Sequence, residues 1–445
     1  MTQSRRGSIV IVGGGASGVS LAAHLLQSPS SSLRVTLVEK RPEFGSGLAY
    51  STSLPDHLLN VTDKGMSALA HDPEHFSRWA RERGFIQGNE PYYAPRSLYG
   101  RYLRELLSEL AEREPVRLRL VQEEAVSITP SGSGVEVSLA NGASLVGHVT
   151  VLATGHDDQP EADLAFAIKT EFVDSGGIDR TAPVLILGTG LSMVDAVLLL
   201  EARGHTGQIV AVSRRGLIPS PHRPGSPIRL DSADIPLGTD LSYFLNWFRQ
   251  LVRDTEARGG DWRDVVDGLR PFNQRIWQSW STSTRRRFIE HTKAWWDVHR
   301  HRMAPQIHAR LQETIASGRL RLVAGRLADV TSEGDSFRVT LEHRQTRHAE
   351  TLSVAAILDC TGIAKDVSAS SIRIVRGLIR QRLARPDPMR IGLDVTTDCA
   401  VVDADGRPSS NIYAVGPLTR GTFLEIDAMP DIRAQCARLA NLLTA

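Results

Sequence analysis

Two glycine-rich segments have the residue types and spacing of sites that bind the phosphates of a dinucleotide. The first is Gly13-x-Gly15-x-x-Gly18, which directly follows four apolar residues. In such a loop the first glycine permits a tight turn, the second lets a pyrophosphate approach the backbone, and the third lets a helix pack on a strand. The start of that helix then faces the phosphates. The next apolar run ends at Glu39, whose carboxylate is placed to accept hydrogen bonds from a ribose 2′-hydroxyl.

The second glycine-rich segment repeats this order. Gly188-x-Gly190 follows the apolar run 184–187, and the pattern predicts a helix over 194–201 and a strand over 209–212. The third glycine position is occupied by Met193. We therefore expect the helix of this second segment to lie farther from its strand than the helix of the first.

The two segments differ in the charge of the side chains at the end of the second predicted strand. Glu39 stands 26 positions after the first glycine of its segment, and Arg214 stands 26 positions after the first glycine of the other. Ser213 and Arg215 flank Arg214, and two guanidiniums with a hydroxyl suit a 2′-phosphate. One charge-assisted hydrogen bond contributes roughly 1.5 to 3 kcal/mol, a preference for NADPH over NADH of about tenfold to a hundredfold. The alternative is a pair of solvated surface arginines. The pattern favours FAD at the first segment and NADPH at the second.

Composition excludes several classes of protein. The 445 residues are 41% hydrophobic and 23% charged, as in ordinary globular proteins, and the net charge of +2 argues against a nucleic acid or an acidic membrane as the main partner. The three cysteines form no C-x-x-C motif, so that neither a dithiol reductase nor a zinc site is expected. No apolar run reaches 18 residues. We expect a cytoplasmic protein without a bound metal.

The order of the elements predicts an α/β fold with two dinucleotide-binding, Rossmann-like domains. Strands at 149–155 and 355–362 end in Thr-Gly and bracket the second segment, which implies that the NADP domain is inserted in the FAD domain. The FAD-binding domain is predicted in two pieces, at 1–168 and 363–445. The NADP-binding domain is predicted at 181–362 and contains a helical insertion at about 231–304.

The insertion combines tryptophan with arginine. Six of the seven tryptophans lie within fifty residues, and 270–303 holds eight Lys or Arg against two acids. This mixture can indicate nucleic-acid binding or a simple core, but we favour a packed helical lobe with Phe288, His291 and Trp295 on its buried face. His299 and His301 lie about 200 degrees apart on a helix and cannot ligate one metal together. The basic residues around them suit an anionic substrate or the nicotinamide diphosphate, unless they only solvate a helix end.

Taken together, the motifs resemble those of bacterial FAD/NAD(P)-binding oxidoreductases, a group related to flavin-dependent N-hydroxylating monooxygenases that includes FAD-dependent urate hydroxylases. The resemblance covers nearly the whole chain and rests on residues 13–18 with Glu39, 45–52, 57–61, 188–195, 213–217, 296–302 and 416–421. It implies that residues 13–18 hold the FAD pyrophosphate, that residues between 47 and 67 line the flavin side of the cleft, and that residues 416–422 close on the isoalloxazine end.

The motifs and the resemblance together define the expected cofactor-binding residues. For FAD they are Gly13, Gly15, Ala16, Ser17, Gly18, Glu39, Lys40, Gly47, Ala49, Tyr50, Asn60, Met66, Ser67, Thr154, Gly155, Gly416, Pro417, Gly421 and Thr422. For NADPH they are Gly188, Thr189, Gly190, Ser192, Ser213, Arg214 and Arg215.

The implied activity is that of an NADPH-dependent FAD monooxygenase. In this hypothesis NADPH reduces the flavin, which captures molecular oxygen as a C4a-hydroperoxide and hydroxylates a small molecule. Two alternatives remain open: an NADPH:acceptor flavin reductase without oxygen transfer, and a flavin-containing nucleic-acid binder that is not an enzyme. The sequence shows no catalytic dyad, and the catalytic residues are unassigned. Asp427, Glu425 and His222 are candidates for orienting substrate or nicotinamide, although we favour a structural role for each.

Overall fold

The computed structural model describes residues 7–28, 32–88, 90–132, 134–157, 168–169, 178–362 and 366–445. Contacts divide the chain into two units. The first comprises 1–55, 61–161 and 363–445, and the second comprises 56–60 and 162–362. The sequence boundaries assign 56–60 to the first domain, whereas the contacts of this segment lie in the second unit. Most of the predicted junction between 168 and 181 lies outside the described residues.

Strands and helices are numbered along the chain. The strands are β1 Ser8–Val12, β2 Arg34–Glu39, β3 Leu118–Gln122, β4 Ala125–Ser131, β5 Gly134–Leu139, β6 Ser144–Gly147, β7 Val149–Leu152, β8 Ile168–Lys169, β9 Val184–Leu187, β10 Ile209–Ser213, β11 Leu320–Glu333, β12 Ser336–His343, β13 Ala349–Val354, β14 Ala356–Asp359, β15 Ala400–Val402 and β16 Pro408–Ala414. The α-helices are α1 Ala16–Leu26, α2 His75–Glu82, α3 Arg96–Arg113, α4 Leu191–Ala202, α5 Leu241–Glu256, α6 Trp262–Leu269, α7 Asn273–Ser279, α8 Thr282–Arg287, α9 Lys293–Arg300, α10 Pro305–Ala316, α11 Arg373–Arg380 and α12 Met429–Thr444.

The first unit is built on a sheet with the strand order β15-β16-β7-β1-β2-β3. The neighbours from β16 to β3 are parallel, and β15 is antiparallel at the edge. Residues 9–12 of β1 are buried, as expected for a central strand covered on both faces. A separate antiparallel sheet, β4-β5-β6, belongs to the same unit.

The second unit repeats this plan with the order β13-β12-β11-β10-β9-β14-β8. Strands β11, β10, β9, β14 and β8 are parallel, and β11 continues beyond residue 324 into an antiparallel meander with β12 and β13. The apolar side chains of β9 and β10 share one core with those of the meander. The predicted α/β class with two Rossmann-like units is therefore confirmed.

The helix after the second glycine-rich segment begins earlier than predicted. Helix α4 starts at Leu191, with Gly190 as its N-cap, because the chain turns directly from the glycine loop into the helix. Met193 is fully buried there, whereas a Cβ at the matching Gly18 would collide with the carbonyl of Gly13. The second unit therefore accommodates a long side chain at the position where the first unit has no room for a Cβ.

The helical insertion packs differently from the prediction. Its aromatic core is formed by Phe244, Trp277, Trp280 and Phe288, while Trp295 is 49% exposed and His291 is also exposed. The prediction that Phe288, His291 and Trp295 share a buried face is therefore correct for Phe288 and wrong for His291 and Trp295. Residues 288–292 form a turn of π-helix, which adds a residue to the helical repeat and rotates the following side chains away from the core.

Several arginines of the insertion are used internally. Arg302 is 4% exposed and is paired with Asp267, and the guanidinium of Arg285 donates to the carbonyls of Trp277 and Gln278. These contacts support the packed lobe rather than a nucleic-acid surface. In the described part of the chain, no helix is long and apolar enough to cross a membrane.

Candidate cofactor-binding sites

The first glycine loop turns where β1 ends. Gly13 has φ +108°, a left-handed conformation that favours glycine, and a Cβ there would collide with the carbonyl of Ala153. Its N–H donates to the carbonyl of Val38 at 2.8 Å, which fixes the loop to β2. The start of α1 is thereby held at the carboxyl ends of β1 and β7, where ligands bind in open parallel sheets.

The N-terminus of α1 is open to a phosphate. Gly15 is the N-cap and supplies no side-chain hydrogen bond to the first turn. A Cβ at Gly15 would lie 3.3 Å from the Cα of Gly47, so that two glycines bring their backbones close together here. Uncapped N–H groups and the helix dipole together favour an anion, and the absence of side chains gives that anion access to the backbone.

A cavity of about 1140 Å³, its open mouth included, extends from this helix end. Its wall includes the glycine loop, Glu39 at the end of β2 and the turn at 154–155, so that one cavity connects the segments expected to bind FAD. The expected residues that line it are Gly13, Gly15, Ala16, Ser17, Glu39, Lys40, Gly47, Ala49, Tyr50, Thr154, Gly155 and Pro417.

Glu39 lies at the end of β2 and is buried. One carboxylate oxygen accepts the N–H of Gly14 at 2.7 Å, and the other accepts the N–H of Arg41 at 2.9 Å. These bonds hold the carboxylate against the glycine loop at the cavity wall. Each oxygen keeps a further lone pair for a ribose hydroxyl, since an ionised carboxylate has about four acceptor positions.

Two buried polar atoms on the cavity wall have no hydrogen-bond partner in the structure. They are Oγ1 of Thr154 and Nδ1 of His156. Buried polar atoms are normally satisfied, and the loss of a hydrogen bond costs about 1 to 3 kcal/mol. A polar ligand in the cavity would supply the missing partners, and the polar edges and phosphates of FAD suit this wall. Sequence reasoning included Thr154 and missed His156, although His156 directly follows the Thr-Gly turn.

On the wall of the same cavity, the charge of Asp427 acts on two other ionisable side chains, those of Tyr50 and His156. Burial raises the pKa of Tyr50 to about 12 and lowers the pKa of His156 to about 4, and the charge of Asp427 acts on both. Tyr50 packs edge-on against Tyr99, with ring centroids 4.7 Å apart. At neutral pH the phenol and the imidazole are therefore both uncharged and available as hydrogen-bonding groups. Of the three orienting candidates, Asp427 is the one on this wall.

Other expected FAD residues lie away from the lining. Ser67 is buried and its hydroxyl is bonded to backbone carbonyls, and Met66 is also buried. A Cβ at Gly421 would collide with Asp387, and the hydroxyl of Thr422 donates to the carbonyl of Val395. The N–H of Gly416, next to the lining residue Pro417, donates to Gln435 at 2.7 Å.

Asn60 belongs by its contacts to the second unit. The Nε2–H of His222 donates to its carbonyl at 2.9 Å, and burial, followed by the charge of Arg302, lowers the pKa of His222 to about 4. Asp56, in the same short segment, is paired with Arg310 at 2.7 Å. These contacts explain why 56–60 packs with the second unit, and they give His222 a structural role.

The second glycine loop is held as the first is. Gly188 has φ +103°, and a Cβ there would collide with the carbonyl of Cys360. The hydroxyl of Thr189 donates a hydrogen bond to the carbonyl of Leu217 and accepts one from the hydroxyl of Ser213. The hydroxyl oxygens of Thr189 and Ser213 are 2.8 Å apart. Ser213 in turn accepts the N–H of Gly216 at 3.0 Å. This network fixes the turn that carries Arg214 and Arg215.

The turn after β10 gathers positive charge. Arg214 is exposed, and the guanidinium of Arg215 donates to the carbonyl of His291 at 3.1 Å. A third guanidinium, that of Arg344, donates to the carbonyl of Arg214 at 3.3 Å. Sequence reasoning missed Arg344, because 130 positions separate it from Arg214 and no pattern connects the two. Helix α4, like α1, has no side-chain cap.

Within the described residues, no group of three or more His, Cys, Asp or Glu side chains is arranged to hold a metal ion. The three cysteines, Cys360, Cys399 and Cys436, are buried and form no disulfide. A redox-active disulfide requires two neighbouring thiols with access to a substrate, and thiols that are all buried lack that access.

Comparison with known proteins defines the class. Residues 10–157 match a family model described as FAD-NAD(P)-binding. The chain is similar in structure to L-lysine 6-monooxygenase from Pseudomonas syringae (TM-score 0.67, 17% identity, 98% of each chain covered) and to an ornithine N-hydroxylase from Kutzneria sp. 744 (TM-score 0.62, 16% identity, 99% of each chain covered). It is also similar to thioredoxin reductase from T. acidophilum (TM-score 0.51, 12% identity, 98% of each chain covered). No curated protein matches the chain.

These matches confirm the architecture of an FAD-dependent NAD(P)H oxidoreductase. The matched segment lies in the first unit except for residues 56–60, and the similarity of fold extends over nearly the whole chain. At sequence identities of 12 to 17%, these similarities establish the fold of the chain and do not identify its substrate.

Proposed function

We propose that this protein is an NADPH-dependent flavoprotein monooxygenase that hydroxylates a small molecule. The observation that carries the proposal is the contrast between the two glycine-loop sites. The first has a cavity, with a buried carboxylate for a ribose and two unpartnered polar atoms. The second has guanidiniums in place of the carboxylate. One site thus suits a tightly held FAD, and the other suits a phosphorylated nicotinamide nucleotide.

The chain's own groups would bind and orient both cofactors. The N-terminus of α1 holds the FAD pyrophosphate, Glu39 binds the adenosine ribose, and Arg214 with Arg215 binds the NADPH 2′-phosphate. Bound FAD would supply the redox chemistry, by accepting hydride from NADPH and activating oxygen. Tyr50 and His156 add hydrogen-bonding groups to the cavity wall without adding charge at neutral pH, because burial keeps the one protonated and the other unprotonated.

Proteins of similar fold support a first substrate class to test. They include L-lysine 6-monooxygenase, an ornithine N-hydroxylase and a cadaverine monooxygenase. A thioredoxin reductase-like activity has less support, because all three cysteines are buried and the sequence has no C-x-x-C motif. We propose small amines as the first compounds to test, followed by purines and aromatic acids.

The decisive measurement is the fate of oxygen. The flavin-loaded protein is mixed with NADPH and each candidate substrate, and hydroxylated product and hydrogen peroxide are both measured against the NADPH consumed. A monooxygenase gives substrate-stimulated NADPH oxidation with nearly one product per NADPH. Peroxide as the only oxygen product with every compound, together with rapid reduction of a quinone or another electron acceptor, would instead establish an NADPH:acceptor reductase.

A further inference from the structure

We infer that Arg344 is a specificity-determining residue, the third guanidinium of a site that binds the 2′-phosphate of NADPH. The inference rests on the proposed function in taking NADPH as the nucleotide. It adds a residue from a distant turn to the strand-end pair Arg214 and Arg215, and these three residues are called the arginine cluster below.

The position of Arg344 is fixed by the meander of the second unit. It lies in the turn between β12 and β13, and its N–H donates to the carbonyl of Ala324 at 2.8 Å. Ala324 is paired in parallel register with Ser213, the last residue of β10. The backbone of Arg344 is therefore attached to the strand beside β10, and its guanidinium reaches the carbonyl of Arg214 at 3.3 Å.

The arginine cluster has no neutralising carboxylate among the described residues. The acids on the neighbouring strands are engaged elsewhere: Glu342 is paired with Arg326 and Arg347, and Glu350 is paired with Arg321. Acidic residues are therefore present in the meander, but they are directed to other arginines. No described acidic side chain compensates the charge of the cluster.

The electrostatics of the cluster favour a dianion. Burial lowers the pKa of Arg215, and the like charges of Arg214 and Arg344 lower it further. A phosphate monoester carries nearly two negative charges at neutral pH and accepts hydrogen bonds on three oxygens. Its binding would relieve this repulsion, and planar guanidiniums match phosphate geometry. A ribose hydroxyl would gain much less from the same cluster.

Neighbouring groups point to the nucleotide as the source of the phosphate. The Thr189–Ser213 hydrogen bond connects the second glycine loop to the strand end that carries the cluster. In Rossmann folds the ribose lies at this strand end, about 20 residues beyond the glycine loop. A phosphate bound by the cluster is thus placed to belong to an adenosine ribose whose pyrophosphate lies at the start of α4.

Binding of nucleotide fragments to the full-length protein tests this inference without catalysis. Calorimetric titration with adenosine 2′,5′-bisphosphate, adenosine 3′,5′-bisphosphate and 5′-AMP compares the wild-type protein with Arg344→Ala and Arg344→Gln. We expect each variant to weaken binding of the 2′,5′-bisphosphate about tenfold. We expect a change of less than about twofold for 5′-AMP, since it lacks the second phosphate.

Arg338→Ala is the matched control. Arg338 lies on β12, is exposed and is paired with Glu333, so that its removal changes net charge equally without touching the cluster. Unchanged binding of the 2′,5′-bisphosphate in both Arg344 variants would overturn the inference, as would equal weakening by Arg338→Ala. Equal affinity of the wild-type protein for the 3′,5′-bisphosphate would also overturn it, because the cluster would then not recognise the 2′ position.

The two proposals fail in different ways. A protein that shows the expected Arg344 effect but does not oxidise NADPH retains the arginine cluster as a 2′-phosphate site and loses the proposed function. A protein that oxidises NADPH but binds the 2′,5′-bisphosphate equally with and without Arg344 retains the function and loses this inference.

Discussion

The two nucleotide-binding units share a backbone plan and differ at the end of the second strand. In both, a glycine with φ above +100° turns the chain at a point where the residue that follows an adjacent parallel strand leaves no room for a Cβ. In the first unit the neighbouring strand ends in a carboxylate bonded to the loop, and in the second it leads into the arginine cluster. We therefore propose that the shared backbone plan makes each unit a dinucleotide site, and that the charged side chains at the strand end and beside it select which dinucleotide binds.

The units also differ in how far they surround a ligand. The first has a cavity with buried orphan polar atoms, as suits a cofactor that stays bound. In the second, Arg214 and Arg344 of the arginine cluster are exposed, as suits a nucleotide that is exchanged in each turnover. The following predictions, from the largest expected effect to the smallest, test this contrast.

The first prediction concerns the turn glycines. Gly13→Ala is expected to abolish flavin binding, because the new Cβ collides with backbone and the left-handed φ is strained. Gly188→Ala is expected to abolish NADPH binding and to retain the flavin. The ratio of flavin to protein absorbance and NADPH titration measure the two effects.

Gly142→Ala is the control for the turn glycines. It has φ +87° with no atom within 4 Å of the added Cβ, and thus carries the strain without the collision. Loss of flavin in both Gly13→Ala and Gly188→Ala would show that the units do not bind separate cofactors.

The second prediction concerns the strand-end charge. Arg214→Glu is expected to raise the KM for NADPH about a hundredfold, since a charge-assisted hydrogen bond is replaced by repulsion. The KM for NADH should change only about twofold. Initial rates with both nucleotides measure the difference. An equal increase for NADPH and NADH would mean that Arg214 does not bind a phosphate.

The third prediction concerns acid stability. Burial lowers the pKa of His156, in the first unit, and of His222, in the second, to about 4, compared with 6.5 in an unfolded chain. Above about pH 6.5 such a histidine is neutral in both the folded and the unfolded chain. As the pH falls from about 6.5 toward about 4, the unfolded chain binds the proton first, and the free energy of unfolding decreases. Each histidine accounts for about 1 to 3 kcal/mol of this loss.

Melting temperatures between pH 7.5 and pH 5 measure this effect. His156→Gln and His222→Gln should each reduce the fall in melting temperature on acidification, by a few degrees. His291→Gln serves as the control, since this side chain is 70% exposed. An unchanged pH dependence in both variants would show that neither imidazole is held neutral by the fold.

Much of the two glycine-loop sites was predictable from local order. Gly13, Gly188, Glu39 and Arg214 follow apolar runs at fixed spacings, because a short loop leaves few positions for a residue that must reach a phosphate or a ribose. His156 and Arg344 were not predictable in this way. His156 became a candidate only through its unpartnered buried nitrogen, and Arg344 only through its position beside β10.

The helical insertion shows the limit of periodicity. Trp295 was expected on a buried face from its spacing after Phe288, and the π-helical turn between them rotated it outward. Such a turn depends on how the helix packs against its neighbours, so that no regular repeat in the sequence indicates it.

The sequence alone determined the α/β class, the two glycine loops and the opposite charges that end their second strands, since these depend on residue type and short spacing. The tertiary structure alone decided which side chains line the cavity, which polar atoms there lack a partner, and which distant arginine joins the strand-end pair. Those features arise when strands far apart in the chain become neighbours in a sheet. Their register is determined by the packing of the whole sheet.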